Sequence, residues 1–289
     1  VAEPLLARRD AKRFPPPGVL VDVGEYRMHI TCTGSGDVPI ILISGLSGWS
    51  QDWSVLQPRL TKSYRVCSYD RAGYGWSDEA PLPRSGADAM ADLHRALDRA
   101  GVASPRVVVG HSLGGLLAQI YAKRYTQDVA GLVLVDSVEP LQYEMIGLAT
   151  LGPYKRRMSM MGQAGVMMSR LGVMRAAKMP SSIVIDRLSP EQRPSAMANG
   201  VRTKAFRAFR DEFAAVDTAL VQAADGQSPH VFPTEILATN DNRDFPPGWE
   251  TARMKELWAQ AQVRLGRSWS DVPTIVDDAS HYLQIDHPD

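Results

Sequence analysis

The stretch Val107-Val108-Val109-Gly110-His111-Ser112-Leu113-Gly114-Gly115 decides how the rest of the chain is read. Its three valines form a short apolar run of strand character, and Leu113 to Tyr125 are rich in helix formers. Between the two lies the pattern G-x-S-x-G, which in this context puts a serine on a sharp strand-to-helix turn. Side chains two residues before and after such a serine would collide, so Gly110 and Gly114 make room. Ser112 is then held above the carboxyl edge of a sheet, beside a helix N-terminus. The bland alternative is that these glycines only let a helix pack closely against a sheet.

Working outward, the same texture recurs on both sides. Ile40-Ile41-Leu42-Ile43 is a solid apolar run that delivers the loop Ser44-Gly45-Leu46-Ser47-Gly48, and Arg65 to Asp70 is a second such strand, followed by the turn-rich Arg71 to Gly75. Met90, Leu93 and Leu97 recur at helical spacing. Val19 to Val23 and Tyr26 to Cys32, separated by Gly24-Glu25, suit a tight hairpin. Downstream, Leu132 to Asp136, Glu235 to Thr239 and Thr274 to Val276 read as further strands. Strand and helix alternate, so the expected fold is α/β: a mostly parallel central sheet of about eight strands flanked by helices. The alternation breaks from Ser137 to Pro229, where helical stretches are punctuated by Gly147, Gly162 and Pro180, and where Ser189-Pro190 looks like a helix start. The expected organisation is a lead-in over 1–18, core over 19–136, a helical cap over 137–229 and core again over 230–289.

The chain has 289 residues, 44% hydrophobic and 22% charged, which excludes disorder and a small disulfide scaffold. Its 32 basic and 32 acidic residues balance, so no global field favours nucleic acid or anionic lipid, and neither is expected as a partner. Two cysteines, Cys32 and Cys67, cannot build a four-ligand zinc site. No run of 18 apolar residues and no signal-peptide core is visible. The opening through Pro15-Pro16-Pro17-Gly18 reads as a polar, stiff lead-in. Because it starts at Val1, an upstream leader or membrane anchor stays open, and with it an exported or anchored location rather than a cytoplasmic one.

Serine at neutral pH needs a neighbouring imidazole to take its proton. His281 follows the last strand by a few residues, so its loop emerges at the same sheet edge as Ser112. His111 adjoins the serine and is expected to point elsewhere; His29, His94, His230 and His287 read as surface or packing residues. Asp136 ends the strand after the nucleophile helix and should emerge beside the elbow, where it suits an acid that orients the imidazole or, equally, a helix cap.

Four landmarks in order carry a resemblance: Ser44 to Gly48, Tyr69-Asp70-Arg71-Ala72-Gly73-Tyr74-Gly75-Trp76-Ser77, the elbow at Ser112, and Ser280-His281-Tyr282-Leu283-Gln284. From about Leu20 to Asp289 the sequence resembles the α/β-hydrolase superfamily, in its esterase-like branch with a helical cap. The resemblance implies Ser112 as nucleophile, His281 as base, and an acid at Asp136 or at the commoner position, Asp241, with Asp244 close by. The usual glycine-containing turn is replaced here by Thr239 to Arg243. It implies an oxyanion hole from the backbone N–H groups of Leu46 and Leu113, although Ser44-Gly45 stands where the family often has His-Gly. Asp70 and Arg71 read as loop scaffolding. No cofactor and no metal are implied. The family's strand order makes Cys32 and Cys67 potential neighbours, hence a disulfide and an oxidising compartment.

Nine of the twelve methionines fall between Met145 and Met197, which suggests a pliable apolar cap over the catalytic edge, or simply the core of that cap. Lys155-Arg156-Arg157 reads as a solvated helix face. The expected activity is hydrolysis of a small hydrophobic carboxylic ester. Lactone, amide or ketone-adjacent C–C cleavage on the same groups is the near alternative, and a non-catalytic ligand receptor the distant one. Haloalkane dehalogenase and epoxide hydrolase chemistry is disfavoured, because enzymes similar in fold need an aspartate where Ser112 stands.

Overall fold

A computed structural model describes residues 2–241 and 252–289. The strands are β1 (Val19–Asp22), β2 (Arg27–Thr33), β3 (Ile40–Ile43), β4 (Val66–Tyr69), β5 (Arg106–His111), β6 (Val129–Val135), β7 (Thr234–Thr239) and β8 (Thr274–Val276). They form one sheet in the order β1-β2-β4-β3-β5-β6-β7-β8. Pairing is antiparallel for β1/β2 and β2/β4 and parallel from β4 to β8. The apolar run of β3 divides by its period of two. Ile41 and Ile43 join a core with Val108, Leu132 and Ile236, whereas Ile40 and Leu42 join a separate cluster with Val66, Val109 and Leu283 on the other face.

Helices follow as α1 (Ala2–Arg13), α2 (Gln57–Leu60), α3 (Gly86–Arg99) and α4 (Leu113–Arg124). Between β6 and β7 come α5 (Gln142–Ile146), α6 (Leu148–Arg170), α7 (Val173–Ala176), α8 (Arg193–Gly200), α9 (Thr203–Ala214) and α10 (Val216–Ala224). The chain closes with α11 (Ala252–Trp269) and α12 (Leu283–Asp286). Helix α3 opens on a reciprocal cap: Ser85 Oγ accepts the Asp88 N–H while the Asp88 carboxylate accepts the Ser85 N–H at 2.8 Å. The stretch between β6 and β7 is not uniform, because α10 sends Val216, Ala219 and Leu220 into the main core.

Two local expectations are corrected. The lead-in is not merely a stiff polar tail: its residues 2–13 form α1. An acidic first turn (Glu3) and a basic last turn (Lys12, Arg13) complement the helix dipole, and Arg175 of α7 pairs with Glu3 at 2.8 Å and also with Asp10. The helix expected at Ser189 begins instead at Arg193. The Ser189 carbonyl is taken by the N–H groups of Gln192 and Arg193, which closes a turn, and Pro194 occupies the first helical turn.

Cys32 and Cys67 stand directly opposite each other in the β2/β4 register and are joined by a disulfide. Among the described residues no helix is long and apolar enough to cross a membrane, and no cluster of His, Cys, Asp and Glu is arranged to hold a metal ion.

Candidate active site

Parallel pairing carries β5 and β6 to the same edge, with His111 opposite Val135, so Ser112 and Asp136 emerge side by side. Ser112 has φ 54° and ψ −121°, a conformation that costs a non-glycine residue of order 1–3 kcal/mol and persists only where its surroundings impose it. They do so here: the Ser112 N–H donates to Val135 O at 3.0 Å, and its carbonyl accepts from Gly115 and Val138. A Cβ on Gly110 would stand 2.4 Å from Gly114 O, and one on Gly114 would stand 2.2 Å from Ile43 O. Both glycines are therefore required by close approach.

Asp136 is fully buried, also at positive φ (40°). Its carboxylate accepts three hydrogen bonds: from His281 Nδ1 at 2.5 Å, from Trp258 Nε1 at 2.9 Å and from the Thr239 N–H at 3.2 Å. An Nδ1–H held by a carboxylate leaves Nε2 of His281 as the basic nitrogen. The His281 ring is wedged edge-on against Trp258, with centroids 5.8 Å apart. Among the described residues no hydrogen bond joins Ser112 Oγ to His281 Nε2; the elbow meets the His281 loop through His111, next to Ser112, whose ring bonds the His281 carbonyl.

The other candidates fall elsewhere. Asp241 lies past the end of β7, its N–H on Thr239 Oγ1 at 3.0 Å, while the carboxylate on His281 is that of Asp136. Asp244 lies outside the described residues. His111 does not point away. Its Nε2–H donates to the His281 carbonyl at 2.7 Å and its ring centroid lies 4.7 Å from that of His281. Burial, and then the neighbouring His281, hold its basicity well below the ordinary histidine range, so it props the His281 loop as a neutral ring. His29 is a packing residue, fully buried, with Nδ1 on Asp70 at 3.0 Å and Nε2 accepting the Gly18 N–H. Burial opposes ionisation of Asp70, but the hydrogen bonds from His29, Ser50 and Trp76 outweigh it and hold the carboxyl below its usual range.

Leu113 opens α4, and Leu46 lies in the loop after β3; among the described residues neither backbone N–H has an acceptor. The loop sits against the elbow, since a Cβ on Gly45 would be 3.2 Å from Ser112 Cβ. Its orientation is set by two residues whose part sequence reasoning missed. The buried Arg71 guanidinium donates to Ser44 O and Gly45 O, each at 2.6 Å, and to Glu212 of α9 at 2.5 Å. Glu212 in turn accepts the Ser47 N–H at 3.2 Å and the Tyr74 hydroxyl at 3.0 Å. In a planar trans peptide C=O and N–H point in opposite directions, so fixing Gly45 O aims the Leu46 N–H. The charged donor on that carbonyl also polarises the same peptide and strengthens its N–H.

The methionine expectation is corrected in part. Met160, Met161, Met167 and Met179 face solvent, and Met174 is buried against Val166 and Phe206 within the insertion. A cavity of about 170 Å³ reaches Leu113 at the start of α4; its wall mixes apolar Leu82, Leu117 and Val216 with charged Arg71, Lys204 and Glu212, and neither Ser112 nor His281 lines it.

With this geometry established, comparison with known proteins is informative. A model of the alpha/beta hydrolase family matches residues 40–289, and the chain belongs to that family. It is 34% identical over 119 residues to the putative carbamate hydrolase RutD of Cronobacter turicensis, a match covering 41% of this chain and 40% of that one. Matched stretches span less than half the length of the first curated relatives, at 19%, 15% and 46%. The fold resembles that of a thermophilic esterase from Thermogutta terrifontis, with TM-score 0.58 and 20% identity over 93% of this chain and 92% of that one. It equally resembles the epoxide hydrolase CorEH, with TM-score 0.64 and 16% identity over 93% of each. Likeness at this level establishes the fold; the chemistry has to be argued from the site.

Proposed function

We propose that this chain is a serine hydrolase that cleaves a carboxylic ester with an apolar substituent through an acyl-enzyme. Ser112 Oγ attacks the carbonyl carbon while His281 Nε2 takes its proton, and Asp136 holds the imidazole and stabilises the imidazolium. The N–H groups of Leu46 and Leu113 receive the oxygen that becomes negative, Leu113 with the added field of the α4 N-terminus. Collapse of the tetrahedral intermediate returns the proton from His281 to the leaving alkoxide. Water, deprotonated by the same nitrogen, then releases the acid and restores Ser112.

The observation that carries this reading is the Asp136–His281 bond at the sheet edge where Ser112 stands on its strained turn. The serine is also what separates it from epoxide opening, despite the shared fold. The apolar part of the substrate is an inference from the sequence, since the cavity that reaches Leu113 also carries Arg71, Lys204 and Glu212 on its wall. A second reading, attack on a carbamate carbonyl, takes its support from the relative described as a putative carbamate hydrolase and uses the same steps.

The test pairs turnover of p-nitrophenyl butyrate and an aryl carbamate with labelling by a fluorophosphonate. The expected result is ester turnover and a single adduct on Ser112. Absence of both labelling and turnover would replace the enzyme with a ligand receptor on the same scaffold.

A further inference from the structure

The balanced total charge hides a strong segregation. From Met145 to Ile185 the chain carries Lys155, Arg156, Arg157, Arg170, Arg175 and Lys178 and no acidic residue. Lys155 is neutralised by Asp217, and Arg175 by Glu3 and Asp10; the other four have no ion-pair partner among the described residues. On α6, Met160, Ala164, Met167 and Leu171 follow the spacing i, i+4, i+7, i+11 and so share one face of the helix. That face is open: Met160 is 64% exposed, Met167 61% and Leu171 74%. Helical periodicity puts Arg157 on one flank of the stripe and Arg156 and Arg170 on the other. The opposite side of α6 is the packed one, with Gly165 against the Phe206 ring of α9.

The adjoining elements repeat the pattern. Val173, Met179 and Ile183, in the segment that follows α6, are exposed as well. Helix α1, fastened to α7 through Arg175, exposes Leu5 and Leu6 together with Arg8, Arg9 and Lys12. We propose that this face, formed by α6, α7 and α1, docks on the surface of an anionic lipid bilayer. An exposed apolar stripe flanked by unpaired cations is the arrangement that inserts side chains at the acyl boundary while arginines meet lipid phosphates. A second copy of the same face would bring those cations against each other, which disfavours self-association there. The arginines and the length criterion make the helix lie on the bilayer rather than span it. Docking would set α6, packed on α9, one helix away from Glu212 and the Leu46 loop, at the boundary where an apolar ester partitions.

Co-sedimentation of the full chain tests this with two vesicle types, phosphatidylcholine alone and phosphatidylcholine mixed with phosphatidylglycerol. The chain is expected to sediment with the mixed vesicles only, and less so as salt rises. Arg156→Gln with Arg157→Gln should lower partitioning by about 25-fold, at about fivefold per cation. Met160→Ser, Met167→Ser and Leu171→Ser together should abolish binding while the thermal midpoint and p-nitrophenyl butyrate turnover in solution stay as in the parent. Ser112→Ala should bind as the parent does, so the docking face stands or falls apart from the catalytic reading. The proposal is overturned if the chain stays in the supernatant, if it binds both vesicle types equally, or if the serine variants still bind. It is also overturned if sedimentation velocity reveals a dimer that those variants dissolve and vesicles do not attract.

Discussion

At the carboxyl edge of the sheet, polar groups are buried and matched: Asp136 accepts three hydrogen bonds, and Arg71 donates to two loop carbonyls and to Glu212. On the outer face of α6, arginines with no ion-pair partner among the described residues flank methionines that are more than half exposed. The first arrangement fixes atoms to within the tolerance that chemistry demands. The second leaves side chains free to adapt to whatever covers them. What differs is the cost of a displaced polar group: an unsatisfied one costs 1–3 kcal/mol when buried, as a rough range, and almost nothing in water.

If that contrast is real, substitutions at the sheet edge should act on rate and those at the outer face should not. Ser112→Ala should reduce kcat by about 10⁴-fold or more, with the protein still folded by circular dichroism. Asp136→Asn should cost about 10³- to 10⁴-fold, since the amide favours the wrong tautomer of His281, whereas Asp241→Asn should change kcat less than twofold, in rough terms. The reverse order would move the acid to Asp241.

Glu212→Gln and Arg71→Lys probe the joint between the two regions. Each should lower kcat by about 10- to 100-fold, less than removal of an oxyanion donor outright, with KM little changed. Affinity for a boronic acid that mimics the tetrahedral state should fall in the same proportion. A parallel rise in KM instead would mean that Arg71 shapes the binding site and does not aim Leu46.

Replacing both cysteines by serine should lower stability by about 2–4 kcal/mol, for a bridge spanning 35 residues, and leave kcat alone. A further effect, read only in the pH dependence of stability, concerns Lys204, whose Nζ donates to Ser77 O at 2.6 Å. Burial, reinforced by nearby Arg202, pushes its pKa down from 10.5 to about 7. Between those values the unfolded chain binds more protons than the folded one, so stability should rise with pH across that window. Lys204→Met should flatten that part of the melting profile; a profile unchanged by the substitution would show the amine to be solvated.

Much of the sheet edge was legible because its signals are local. Short apolar runs mark β3, β5 and β6, the glycines around Ser112 report a steric need, and parallel pairing carries Asp136 to the elbow. His281, whose ring meets Asp136, was picked out by its place after the last strand. Glu212 and Trp258 could not be found that way, because their contacts with Arg71 and Asp136 bridge 141 and 122 residues and leave no local pattern. Arg71 was legible as scaffold, but not as the group that aims one particular N–H. The methionines were misjudged for a related reason: composition counts side chains, whereas only the helical phase of α6 says which way they face.

The insertion leaves after β6 and returns at β7, and these strands are hydrogen-bonded neighbours, with Val135 opposite Leu237. Because the two strands run parallel, the insertion leaves at the carboxyl end of β6 and returns at the amino end of β7, where Thr234 stands opposite Leu132, so it must travel back along the length of the strands and cannot simply bridge neighbours. A replacement segment therefore has to retrace that path to β7, restore an acidic side chain to grip Arg71 and supply apolar ones to fill the place of α10 in the core.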